Sequence, residues 1–81
     1  MQIEVQFFAV LADRIGHKSD TLELPEGATV GGAMEALAER HEIIRTMKAS
    51  LAAAVGNAYV PSEHTLGEGD TLAIIPPVSG G

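Results

Sequence analysis

The chain contains no cysteine and no tryptophan, and only one tyrosine and two phenylalanines in 81 residues. Without cysteine there is no disulfide, no thiolate nucleophile and no cysteine-ligated metal site. Basic residues are scarce too: five Lys and Arg face eleven Asp and Glu, for a net charge of −6. Binding to nucleic-acid phosphate calls for a basic face, so the charge balance argues against that class and against an anionic membrane surface. A basic protein partner remains compatible. No apolar run is long enough to span a bilayer. No basic segment followed by a long apolar stretch opens the chain, so no secretory signal is read and the cytoplasm is the expected location. The length predicts one domain over residues 1–81, burying only ~60–65% of the surface its unfolded chain exposes. A large enclosed active site does not fit in so small a core.

What is present is regular. Gln2 to Phe8 alternates, with Ile3, Val5 and Phe7 on one side and Gln2, Glu4, Gln6 and Phe8 on the other, which predicts a half-buried strand. Ala9 to Ile15 reads as a short helical or irregular segment ending at Gly16-His17-Lys18. Thr21 to Leu24 alternates again before the turn signal Pro25-Glu26-Gly27. Thr29 is a suitable N-cap for a helix over 29–41. Its apolar residues Val30, Ala33, Met34, Leu37 and Ala38 follow the spacing of one helical face. Gly31 and Gly32 weaken its first turn by ~1 kcal/mol each relative to alanine and allow close approach to a sheet. Residues 42–50 read as a connection with at most one further turn. Leu51 to Val55 is a short apolar strand, Gly56-Asn57-Ala58 a turn, and Tyr59-Val60 a very short strand before Pro61. After the turn at Leu66 to Asp70, Thr71 to Ile75 alternates with Leu72 and Ile74 on one side. Strand, strand, helix, strand, short strand, strand is the order of an α+β β-grasp domain. In that arrangement a mixed sheet of four to five strands lies under one main helix, with the first and last strands side by side.

Conventional catalytic constellations are not legible. His17, His41 and His64 are scattered without the i, i+4 spacing of metal ligands, so no metal site is expected. His41 fits a helix end, favoured there by the helix dipole. Gly31-Gly32 lacks the Gly-Lys-Ser/Thr that completes a phosphate loop, and no serine lies in a nucleophile elbow. Glu63, Glu68 and Asp70 read as solvated turn residues.

Two features point to function instead. The chain closes with Pro76-Pro77-Val78-Ser79-Gly80-Gly81. Two prolines hold the root extended, while glycine enters channels too narrow for any side chain. At ~3.3 Å per residue, residues 77–81 (Pro77, Val78, Ser79, Gly80 and Gly81) reach roughly 16 Å as a flexible, projecting tail. Secondly, the alternation turns Phe8 and Ile75 away from the core. With the first and last strands adjacent, both fall on one outer face beside the tail root, where Tyr59 can join them as a partner interface.

Together these segments resemble the small subunit of molybdopterin synthase. The likeness is carried by Val5-Gln6-Phe7-Phe8-Ala9, Leu51 to Asn57, His64 to Asp70, and above all Ile75-Pro76-Pro77-Val78-Ser79-Gly80-Gly81. Gly-Gly alone marks every ubiquitin-like sulfur carrier and modifier; Pro-Pro-Val-x-Gly-Gly after a Gly-x-Gly-Asp turn points to the molybdopterin branch. The resemblance implies a β-grasp fold and chemistry on the carboxylate of Gly81. An ATP-using, ubiquitin-activating-like adenylyltransferase adenylates it, and a sulfur donor protein converts it to a thiocarboxylate. The large synthase subunit then receives the tail and passes the sulfur to cyclic pyranopterin monophosphate. It further implies a heterotetramer in which the large subunit supplies the catalytic side chains. This chain would then bind no cofactor and be no enzyme on its own. Members of the family often carry an aromatic residue where Ile75 stands, which implies a smaller outer patch here. The same tail also suits a carrier for thiazole, tRNA thiolation or cysteine synthesis, a protein modifier joined through Gly81 to lysines, or an interaction module with an inert tail.

Overall fold

The computed structural model describes residues 1–77. In chain order the elements are β1 (Gln2–Phe7), α1 (Val10–Ile15), β2 (Ser19–Glu23), α2 (Val30–Arg40), α3 (Glu42–Met47), a 3₁₀ turn (Lys48–Ser50), β3 (Ala52–Val55), β4 (Ala58–Val60) and β5 (Thr71–Ile75). The strands form one mixed sheet in the order β2-β1-β5-β3-β4. β1 and β5 run parallel at its centre, with Val5 opposite Leu72 and Phe7 opposite Ile74. β2 pairs antiparallel with β1, and β3 with β5 and β4. Parallel central strands flanked by antiparallel ones, with a helix across one face, make the β-grasp fold.

The period-2 alternation of β1 and β5 places Ile3, Val5, Phe7, Leu72 and Ile74 on the inner face, all nearly or fully buried. Against them lies the stripe of α2: Val30, Ala33, Met34, Leu37 and Ala38. The Thr29 hydroxyl accepts the Gly32 N–H at 3.2 Å, so the predicted cap forms. Two further amides of the first turn are satisfied by the loop before β5. Val30 N–H donates to His64 O and Gly31 N–H to Ser62 O, each at 2.9 Å. The close approach expected at Gly31-Gly32 is therefore to this loop and not to the sheet, since a Cβ on Gly31 would lie 3.4 Å from Ser62 O. Between β3 and β4, Gly56 and Asn57 both have positive φ, 60° and 67°, as a two-residue type I′ hairpin turn requires.

Residues 42–50 are more ordered than the expected connection. His41 ends α2, its N–H donating to Leu37 O at 2.9 Å, and the chain turns directly into α3. Ile44 is fully buried, and the partly buried Ile43 and Met47 pack against the core. The His41 ring meets Phe7 edge to face with centroids 5.7 Å apart. β1 stops one residue earlier than expected, at Phe7, and β2 begins two residues earlier, at Ser19. Among the described residues no helix is long and apolar enough to cross a membrane.

Candidate functional site

The outer face of the sheet carries no helix, and its composition changes from one end to the other. Gln2, Glu4 and Gln6 of β1 alternate with the buried residues. Register places Glu23 beside Gln2, and Thr21 and Thr71 beside Glu4. This end is polar and acidic. Toward the other end the neighbours become apolar. Ala73 lies beside Gln6, Ala54 beside Ala73, and Tyr59 beside Ala54, while Ala52 lies beside Ile75. Short alanine side chains between longer ones make a trough of about 480 Å³, lined by Gln6, Phe8, Ala54, Tyr59, Ala73 and Ile75.

The three residues expected at the interface thus share one face. Phe8 is 45% and Tyr59 73% exposed, whereas Ile75 is half-buried. Large exposed aromatics are unusual in a small protein with few aromatics to spare, and their clustering here makes this face the candidate contact surface. Sequence reasoning missed two members. Val10, 39% exposed, opens α1 beside Phe8. Met47 reaches the same area from the end of α3. With Phe8, Ile75, Pro76 and Pro77 they line a second, markedly apolar hollow of about 610 Å³. Val10 had a weak signal, the last residue of the apolar run Phe7-Phe8-Ala9-Val10. Met47 had none, because α3 itself was not anticipated.

β5 delivers the chain to this corner. Ile75 and Pro76 each precede a proline, which biases them to extended backbone, and proline φ is fixed. Pro76 is buried, anchoring the root, and Pro77 is exposed. Val78, Ser79, Gly80 and Gly81, the remaining tail positions, lie outside the described residues.

No chemical machinery competes with this surface. Among the described residues no polar or charged residue is fully buried, though the Nε2 of His41 is buried without a hydrogen-bond partner, and no group of three His, Asp or Glu gathers as metal ligands would. His17, His41 and His64 stay apart. Ion pairs are peripheral: the N-terminal ammonium with Glu23 at 3.4 Å, Arg40 with Asp20 at 3.2 Å, and Arg45 with Glu42 at 3.9 Å. What the described residues supply is an apolar corner at the end of β5.

A ubiquitin-like β-grasp domain with this corner at the end of its central strand belongs to a defined class, and the sequence places it there directly. The chain belongs to the ThiS family, whose profile matches residues 5–81. Within that family it is similar to molybdopterin synthase sulfur carrier subunits. It is 32% identical to that of Chlamydomonas reinhardtii over the whole of both chains, and 31% identical to that of Homo sapiens, covering 99% of this chain and 94% of the human one. Among solved structures, SAMP1 from Haloferax volcanii superposes with a TM-score of 0.89 at 27% identity, over 100% of both chains. A putative molybdopterin converting factor subunit 1 from Pyrococcus furiosus gives 0.86 at 30%, over 96% of this chain and 99% of that one. The Amycolatopsis orientalis BexX/CysO complex contains a chain matched at 0.73 and 27%, over 98% and 99%.

Proposed function

We propose that this chain is the sulfur carrier subunit of a molybdopterin synthase, with the carboxylate of Gly81 as its reactive group. The observation that carries this reading is the end-to-end similarity to molybdopterin synthase sulfur carrier subunits. The apolar corner beside the tail root supports it, because a carrier must dock before its tail can be threaded.

The chemistry follows from what a carboxylate lacks. Its oxygen is a poor leaving group, so an ATP-dependent adenylyltransferase first joins Gly81 to AMP and expels pyrophosphate. A persulfide sulfur on a donor protein then displaces AMP to give an acyl disulfide, and a second thiol cleaves its S–S bond, leaving a thiocarboxylate on Gly81 and a disulfide on the donor side. The thiocarboxylate carries nucleophilic sulfur without any cysteine in the chain. Pro77, Val78, Ser79 and Gly80 form the lead that carries this group into the large subunit. There the sulfur passes to cyclic pyranopterin monophosphate. Phe8, Tyr59 and Ile75 dock on the large subunit, which supplies the catalytic side chains, and the whole cycle runs in the cytoplasm. The carrier binds no cofactor and catalyses nothing alone; it works as one domain whose last residues, 77–81, are its working part.

The test is the intact mass of the chain after incubation with ATP, the activating enzyme and a sulfur donor, beside a control lacking Gly81. A mass rise equal to one oxygen replaced by sulfur, confined to the full chain, is expected; no rise with the cognate activating enzyme would reject the reading. A second reading is favoured by the high structural likeness to SAMP1, described in related structures as a small archaeal modifier protein, and by the CysO complex. A modifier gives ladders of higher-mass conjugates on lysines. A carrier for another acceptor gives the same thiocarboxylate but no molybdopterin when the large subunit and cyclic pyranopterin monophosphate are added.

A further inference from the structure

Ala9 holds a backbone conformation that its side chain opposes. Its φ is 52° and its ψ −127°, close to the first central position of a type II′ turn, about +60° and −120°, which is dominated by Gly, Asn and Asp. Among the described residues only Ala9 and Asn57 have positive φ without being glycine. Asn57 is of a type that tolerates the left-handed region; alanine has no polar side chain to compensate.

The surroundings enforce the conformation. Phe7, 3% exposed, ends β1 in the core, and Leu11, fully buried, anchors α1 there. Three residues must reverse the chain between these anchors. The turn is closed by Leu11 N–H donating to Phe8 O at 3.1 Å and Asp13 N–H donating to Ala9 O at 3.2 Å. One product of the reversal is that Phe8 stands outward as a ridge. Ala9 itself is exposed and touches the hollows on both sides of that ridge. One is the hollow at the tail root. The other lies between Phe8 and Lys18, with Gln6 and Ala12 in its wall.

We propose that Ala9 is a positioning residue: its methyl group, held at a conformational cost that glycine would avoid, stiffens the turn that presents Phe8 and walls the two hollows into which the large subunit packs. The inference rests on the docking role assigned to this corner. It assigns the strain a use, because the position gains contact surface and rigidity by giving up stability. Strain held by tightly packed neighbours is characteristic of binding and switch segments.

The Ala9→Gly variant separates this from a purely structural role, which would move folding and binding in the same direction. Relief of the strain should raise the Tm by a few degrees, since at this chain length each kcal/mol is roughly 4–8 °C. Loss of the methyl and of the stiff turn should weaken the Kd for the large synthase subunit of the same organism by about three- to tenfold, measured by titration calorimetry. A raised Tm with unchanged Kd overturns the positioning role while leaving the docking reading intact. A Tm that is unchanged or lower overturns the strain on which the proposal depends. If the unaltered chain itself fails to bind the large subunit, the docking reading falls and takes this proposal with it.

Discussion

Phe7 and Phe8 are neighbours in sequence and opposites in use. Phe7 lies under the helices, packed against His41 and the core; Phe8 faces solvent on the other side of the same sheet. The contrast extends along both central strands. Ile3, Val5, Leu72 and Ile74 hold α2, whereas Gln6, Ala73 and Ile75 form an open surface that runs to the tail root. Each strand therefore builds the core with one face and leaves the other open. Substitutions only one position apart should then have effects of different kinds.

The largest expected effect is on the inner side. Phe7→Ala should cost about 3–5 kcal/mol of folding free energy, seen as a strongly lowered urea midpoint. Its remaining folded fraction should bind the large subunit with little change. Equal losses of stability from Phe7→Ala and Phe8→Ala would erase the distinction between the faces. Next in size, Phe8→Asp should leave the urea midpoint nearly in place while weakening large-subunit affinity by roughly 10–100-fold, the equivalent of losing one buried aromatic anchor. Unchanged affinity would remove Phe8 from the interface. The smallest effect sharpens the comparison from a third position. Thr29→Ala removes the hydroxyl that caps α2 and should cost about 1 kcal/mol in the same urea titration. Because the Thr29 cap lies away from Phe8 and Ile75, calorimetric affinity for the large subunit should not move.

How much of this was readable in advance depended on whether the signal was local. The limits of β5, Thr71–Ile75, follow from alternation alone, and Thr29 announces α2 because capping is a short-range hydrogen bond. The Gly56-Asn57 turn is legible for the same reason. α3 was not, since a six-residue helix has too few turns to display a period, and the apolar neighbours Ile43-Ile44 fit a buried connection equally well. The apolar corner was legible in part. Phe8 and Ile75 follow from parity once β1 and β5 are adjacent, but Tyr59 needs the register of β3 with β4, and Met47 needs the path of α3. Ala9 gave no warning at all. Its dihedrals are imposed by Phe7 and Leu11 on either side, and nothing in an alanine signals positive φ.

The place of β5 in the sheet has a consequence for how the chain folds. Its partner β1 comes from the opposite end of the sequence, with Val5 paired to Leu72. Until that long loop closes, the sheet exists only as two separate parts, β2-β1 and β5-β3-β4. Closing it should be the slow step of folding, because non-local pairing must meet its entropic cost before contacts reward it. β5 also carries Ile75 and the proline root. Until then Phe8 of the first part and Ile75 of the second are apart, and a partner that docks on both would engage only molecules whose folding is finished.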